Sequence, residues 1–254
     1  MKTFNAFMKK ELMHLVRSAG FYVLAGIFLL HGITNPLLTK ATPMLLELLA
    51  TEDLGFEIAI TSVSALDSWA QFYKNLSMLI IAFVCIYGRI LTGEYSSGTL
   101  ILPLTKGLER YKIVIAKWIT LSGIWSLMLL VCSGINYIIS ECFWDNSVAN
   151  SLMLSIFCSW LFGMLIVSLI IFFSTVTSSS AFVILGSLGF YFISTIFVAI
   201  PKINKFLPSM LADSTSLVYG LTEAKDYFLA IAIASVLTIA LFVISIPMMN
   251  KKQL

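Results

Sequence analysis

The sequence predicts an all-α membrane protein of six transmembrane helices, and three observations predict it. Hydrophobic residues make up 59% of the 254 residues and charged residues only 11%, against about 25% charged in a typical soluble domain. The mean hydropathy of +0.96 is that of a chain whose surface faces lipid. The apolar residues gather into six runs, at 21–38, 72–91, 113–139, 151–175, 181–200 and 227–248. Each meets the ~17–25 residues a helix needs to cross about 30 Å of hydrocarbon. The runs are apolar on all sides, whereas a membrane β-barrel shows segments of about ten residues with alternating polarity.

Each element can be justified in order. Residues 3–17 are too polar to span, yet Phe4, Phe7, Met8, Leu12 and Leu15 recur at helical spacing with Lys9, Lys10 and Arg17 mostly opposite. That pattern predicts an amphipathic helix in the membrane interface, with a flexible basic N-terminus as the alternative. The first run follows lysines as a signal peptide does, but no small-residue cleavage site follows it, so an uncleaved signal-anchor span is expected. Between the first two runs, Thr42-Pro43 resembles a helix start, and Met44, Leu45, Leu48 and Leu49 form an apolar stripe. A short external helix is expected there, with residues 67–71 capping the second span. The segment 201–226, with Pro201, Pro208 and Gly220, leaves a short or re-entrant external helix open. Segment 39–71 is too short to bury a core of its own, so 1–254 reads as a single transmembrane domain.

Charge sets the expected orientation. With the N-terminus in the cytoplasm, 11 of the 16 Lys and Arg fall inside and ten of the 13 acids fall outside. This Lys and Arg asymmetry in short loops places both termini in the cytoplasm. The net charge of +3 is then a topology signal and calls for no nucleic-acid partner. Trp69, Phe72 and Tyr73 are expected to mark the outer interface of the second span, Phe143 and Trp144 that of the third, and Tyr111 and Trp118 an inner boundary.

Few residues offer chemistry. Cys85, Cys132, Cys142 and Cys158 show no disulfide framework or metal spacing. His31 is expected to pack or hydrogen-bond within the first span. Glycines such as Gly163 are expected to bring helix backbones close. Asn35 and Asn136 are candidates to line a pathway, with local breaks or interhelical hydrogen bonds as the alternative. An intramembrane enzyme needs a cluster of acids, histidines or an activated nucleophile, and an ion-coupled secondary transporter commonly needs deep charges. The spans supply no such cluster and almost no deep charge, His31 being the clearest candidate for the secondary-transporter alternative, while Lys74, Arg89 and Lys117 lie near span ends where they can snorkel. No catalytic, cofactor-binding or metal site is therefore expected.

The most informative polar segment is 93–117, GEYSSGTLILPLTKGLERYKIVIAK. Its run at 100–108 is too apolar for a free loop and should bury against a partner or the membrane. The pattern E-x-x-x-G-T-L, then Arg110 and Lys117, resembles the cytoplasmic loop of ABC-2-type transporter permeases. The matching positions are Glu94, Gly98, Thr99, Leu100, Arg110 and Lys117. The chain departs from that family in carrying Lys106-Gly107 where Thr-Pro is common, with a proline earlier at Pro103. The resemblance covers the whole chain: interfacial helix, six spans, a loop between spans two and three, and an external element before span six.

The resemblance implies a permease subunit of an ABC transporter that moves its cargo outward, in a bacterial plasma membrane. It implies a coupling helix in the loop that docks into a separate ATPase subunit, and the apolar run, with Leu100, Leu102 and Leu104, is expected to supply that contact. It also implies a second permease subunit, identical or related, and contact with membrane lipid. No G-x-x-x-x-G-K-[ST] occurs and no glycine precedes a lysine. ATP and Mg are accordingly expected in the partner chain and no cofactor in this one. The residues do not name a substrate.

Overall fold

A computed structural model describes residues 2–49, 62–198, 200 and 203–252. Among these the chain is helical with no strand. The helices are α1 (Lys2–Val16), α2 (Ala19–Leu49), α3 (Ala65–Lys74), α4 (Leu76–Tyr87), α5 (Thr92–Ser96), α6 (Ile101–Thr105), α7 (Arg110–Phe143), α8 (Leu152–Val176), α9 (Ser180–Val198), α10 (Thr215–Val218) and α11 (Ala224–Lys251). Six stretches are long and apolar enough to cross a membrane, α3 to α5 together forming the second. The all-α membrane fold is as expected from the six runs.

Helix α8 is the axis of the bundle. Its most apolar window is 72% buried, against 22% in α9 and in α11, which therefore lie at the periphery. It packs against α11, α7, α9 and α4. The tightest point is Gly163, where a Cβ would stand 1.8 Å from Trp125 Cε2 of α7. Trp125 is buried there edge-on to Phe28 of α2 and Phe83 of α4. Glycine is needed at this position because any side chain would displace the indole.

Two local expectations are corrected. The helix start at Thr42-Pro43 is absent, because α2 continues through Pro36 and Pro43 to Leu49. Thr39 and Thr42 bond back to the carbonyls of Asn35 and Leu38. The side chains of Leu48 and Leu49 lie outside the described residues, as do Pro201 and Lys202. The second span begins earlier, at Ala65, where the Ser64 N–H donates to the Asp67 carboxylate at 2.9 Å. It breaks at Asn75, between α3 and α4.

Trp69, Phe72 and Tyr73, near the start of this span, are fully buried among protein side chains. Trp69 Nε1 donates to Asn146 Oδ1 at 3.0 Å, and Phe72 offers its carbonyl to His31 at 3.2 Å. On α1, the buried face is Phe7, Glu11 and Leu15, while Leu12 stands exposed. The paired Glu11 shares the face of Phe7 and Leu15 and turns inward against α7.

Helix α1, segment 88–109, turn 177–179 and residue 252 gather at one end of the bundle, joined by the contacts described below. At the opposite end, short 3₁₀ turns at Asn204–Phe206 and Pro208–Leu211, followed by α10, pack onto the bundle. Pro208, Met210, Leu211, Leu217 and Val218 are buried. No long re-entrant helix occupies the described part of this segment.

Candidate functional site

The chain leaves the bundle after Tyr87 and returns at Arg110, and two glycines shape the excursion. Gly98 and Gly107 have φ of +65° and +83°, the left-handed region that glycine enters without steric cost. Between them lies α6, five residues long with Pro103 inside its first turn, where a missing N–H is tolerated. The apolar run divides sharply. Leu100 and Leu108 are buried in the chain's own core, and Leu104 packs partly against it. Ile101 and Leu102 are 57% and 63% exposed. Thr99 is exposed beside Ser97, whose hydroxyl donates to the Gly93 carbonyl at 2.8 Å. Leu100 thus anchors the excursion instead of projecting from it, because its side chain has found an apolar site within this subunit.

Beneath the excursion lies an ion cluster drawn from three elements. Lys117 of α7 is 1% exposed. Its Nζ stands 2.5 Å from Glu11 Oε2 of α1 and 2.9 Å from Glu94 Oε1 of α5. Lys10 Nζ closes the cluster at 2.9 Å from Glu11 and 3.3 Å from Glu94. Lys117 therefore does not snorkel; two carboxylates meet it inside. Burial pushes the Glu11 carboxyl up, but the charge and hydrogen bond of Lys117, then those of Lys10, outweigh it and hold the group below its ordinary value. Burial likewise opposes the charge on Lys10, and its hydrogen bond to Glu11 and the Glu94 charge raise it above the ordinary lysine value. Desolvation offsets much of the attraction in such a cluster, so its role is to set position more than to add stability.

Arg110 takes a different partner from Glu94. Its Nη1 donates to the carbonyl of Lys252 and to that of Asn250 at 3.4 Å. Lys252 Nζ in turn donates to the carbonyls of Ser174 and Thr177 at 3.0 and 2.6 Å, and sits 4.0 Å from the Tyr95 ring centroid. Burial draws this ammonium down to about 8. The Tyr95 hydroxyl reaches Met249 Sδ at 3.3 Å. The two roots of the excursion are thereby tied to the ends of α8 and α11 as well as to α1.

The two asparagines part company. Asn35 is buried and structural: its amide donates to the His31 carbonyl at 2.6 Å and accepts from Asn75 at 2.9 Å, joining α2 to the break between α3 and α4. Asn35 thus makes the interhelical bond weighed as the alternative to a pathway role. Asn136 is fully buried with neither amide atom paired, as is the hydroxyl of Ser140 one turn on. No hydrogen bond joins Asn35 to Asn136. Among the described residues no group of His, Cys, Asp and Glu has metal-ligand geometry.

Sequence reasoning picked out Glu94 and Lys117 but missed Glu11, Lys10 and Lys252. A signal for Glu11 existed. It stands four residues from both Phe7 and Leu15, on the face those residues bury, as the one acid of a basic helix.

Residues 6–203 match a family model described as ABC-2 family transporter protein. The match spans α1 through the segment after α9 and includes the whole excursion. No curated protein matches the chain.

Proposed function

Because the chain belongs to the ABC-2 transporter family, and is thus the permease of an ABC transporter, we propose that it serves an ATP-driven exporter and receives its energy at α6. Permeases of this family are in general non-catalytic and work with an ABC ATPase. In this reading the end that carries α1, α6 and the C-terminus faces the cytoplasm, and ATP and Mg belong to the partner ATPase. A second permease subunit, identical or related, completes the pathway.

One contrast carries the reading. Ile101 and Leu102 stand exposed on a short helix whose flanking Leu100 and Leu108 are buried. Enclosing two such side chains in a partner's cleft contributes about 1.5–3 kcal/mol each. The buried root formed by Lys117, Glu94 and Glu11 gives the docked helix leverage on α7, and Arg110 gives it leverage on α11. The contact is thus apolar and the register electrostatic.

The test is co-purification of the ATPase with the Ile101→Ser/Leu102→Ser variant. The expected outcome is loss of the ATPase, or hydrolysis uncoupled from transport, with the bundle still inserted. Full association and transport in that variant remove α6 as the coupling element.

A further inference from the structure

At the same end of the bundle a cavity of about 850 Å³ opens between α1, the inner end of α4 and the α5–α6 excursion. That volume lies within the usual range for small-molecule sites, about 300–1,000 Å³. Its walls have two characters. Phe7, Leu15, Ile86, Ile90 and Leu108 make one side apolar, continuous with the ends of the membrane-spanning helices. The other side holds five basic or imidazole groups and two acids. Both acids, Glu11 and Glu94, are already engaged by Lys10 and Lys117. Arg89, Lys106 and His14 remain on the lining, and none of them has an acid partner among the described residues.

We propose that this cavity binds an anionic phospholipid of the adjacent leaflet, its phosphate between Arg89 and Lys106 and its acyl chains along Ile86, Ile90, Phe7 and Leu15. The chemistry selects an amphiphile. A free phosphate or a nucleotide uses the basic groups but leaves the apolar wall wet. A zwitterionic lipid uses the wall but carries no net charge for the two unmatched cations. Basic residues at the edge of a membrane helix attract anionic headgroups in just this setting. Placing the site in the cytoplasmic leaflet rests on the orientation proposed above; the binding itself does not. A lipid seated here touches α1 and the root of α6 together, so it would bear on how the excursion is held.

The experiment uses the full chain in detergent, without any ATPase. Native mass spectrometry compares retention of phosphatidylglycerol with phosphatidylcholine of the same acyl chains. Photoactivatable phosphatidylglycerol then maps the contact by peptide. Wild type should retain phosphatidylglycerol preferentially, with adducts on α1 and residues 86–108. Arg89→Gln/Lys106→Gln should weaken that retention by about 30-fold, taking roughly one unit of lipid attraction from each cation. Arg89→Lys/Lys106→Arg should restore it. Both side chains are exposed, and unchanged monodisperse elution checks that the variants fold.

Equal retention of the two lipids by wild type, or adducts spread evenly round the bundle, overturns the proposal. Displacement of phosphatidylglycerol by inorganic phosphate overturns it in favour of a free anion. If wild type shows no lipid preference and, in a separate co-purification with the ATPase, the glutamine variant loses the ATPase, the cavity belongs to the partner protein and the lipid is refuted. A negative lipid result with α6 still required for ATPase association leaves the coupling role standing.

Discussion

At the scale of single residues, Lys117 decides more than its position at a span end implies. Its ammonium meets two carboxylates from separate elements, so removing it leaves the buried Glu11 with only the half-exposed Lys10 as its cation. Breaking a buried pair from one side costs about 3–5 kcal/mol, whereas replacing both partners is far milder. Lys117→Met should accordingly lower the unfolding midpoint in detergent, and Glu11→Gln/Lys117→Met should recover much of the loss. A double variant as unstable as the sum of its parts would show that the two residues act independently.

The pH dependence has a definite sign. The folded Glu11 carboxyl sits below its ordinary value of 4.5, so its contribution is complete above that pH and fades as pH falls through the lower folded value. The gap in Tm between wild type and Glu11→Gln should be full above pH 4.5 and shrink below it. A gap that stays constant into acid contradicts the assignment.

Gly163 supplies a steric counterpart. A methyl group there meets the Trp125 indole at 1.8 Å, whereas Gly189 has nothing within 4 Å. Overpacking of this kind costs about 1–3 kcal/mol, while glycine to alanine in an open helix position gains up to about 1 kcal/mol. Thermal unfolding should therefore separate Gly163→Ala from Gly189→Ala in sign. Equal midpoints for the two would mean that α7 yields freely at Trp125.

At the scale of elements, the excursion between α4 and α7 splits into a root and a tip. Leu100 belongs to the root: it is 2% exposed, and Leu100→Ala should cost about 2–5 kcal/mol in bundle stability. Ile101→Ser/Leu102→Ser touches only the tip and should leave the unfolding midpoint unchanged while releasing the ATPase. A lowered midpoint in the tip variant would mean that these side chains pack within the subunit.

Helix α3 adds what residue type alone does not give: Trp69, Phe72 and Tyr73 pack among protein side chains, fully buried, just after the capping pair Ser64 and Asp67. Helix α2 adds a lesson about Pro36 and Pro43, since proline in a membrane helix kinks or bends a path without having to end it.

At the scale of the molecule, the charge asymmetry predicts a cytoplasmic location for the end bearing both termini. Reporters fused after Lys252 or inserted at Lys106 should read as cytoplasmic, and a cysteine at Asp145 should label from outside intact cells. External labelling at Lys106 reverses the topology and, with it, the docking side proposed for the ATPase.

The sequence by itself determined the solvent, the number of spans, the family and the segment in which Glu94, Gly98 and Lys117 lie. These depend on composition, run length and local motif, which are properties of neighbouring residues along the chain. The tertiary structure alone decided that Glu11 completes the cluster with Lys117, 106 residues away. It likewise decided that Leu100 anchors while Leu102 projects, and that Arg110 holds the chain's far end. Each of those outcomes turns on which side chains meet after the helices pack. In a chain this uniformly apolar, periodicity does not reveal which face turns to lipid and which to protein.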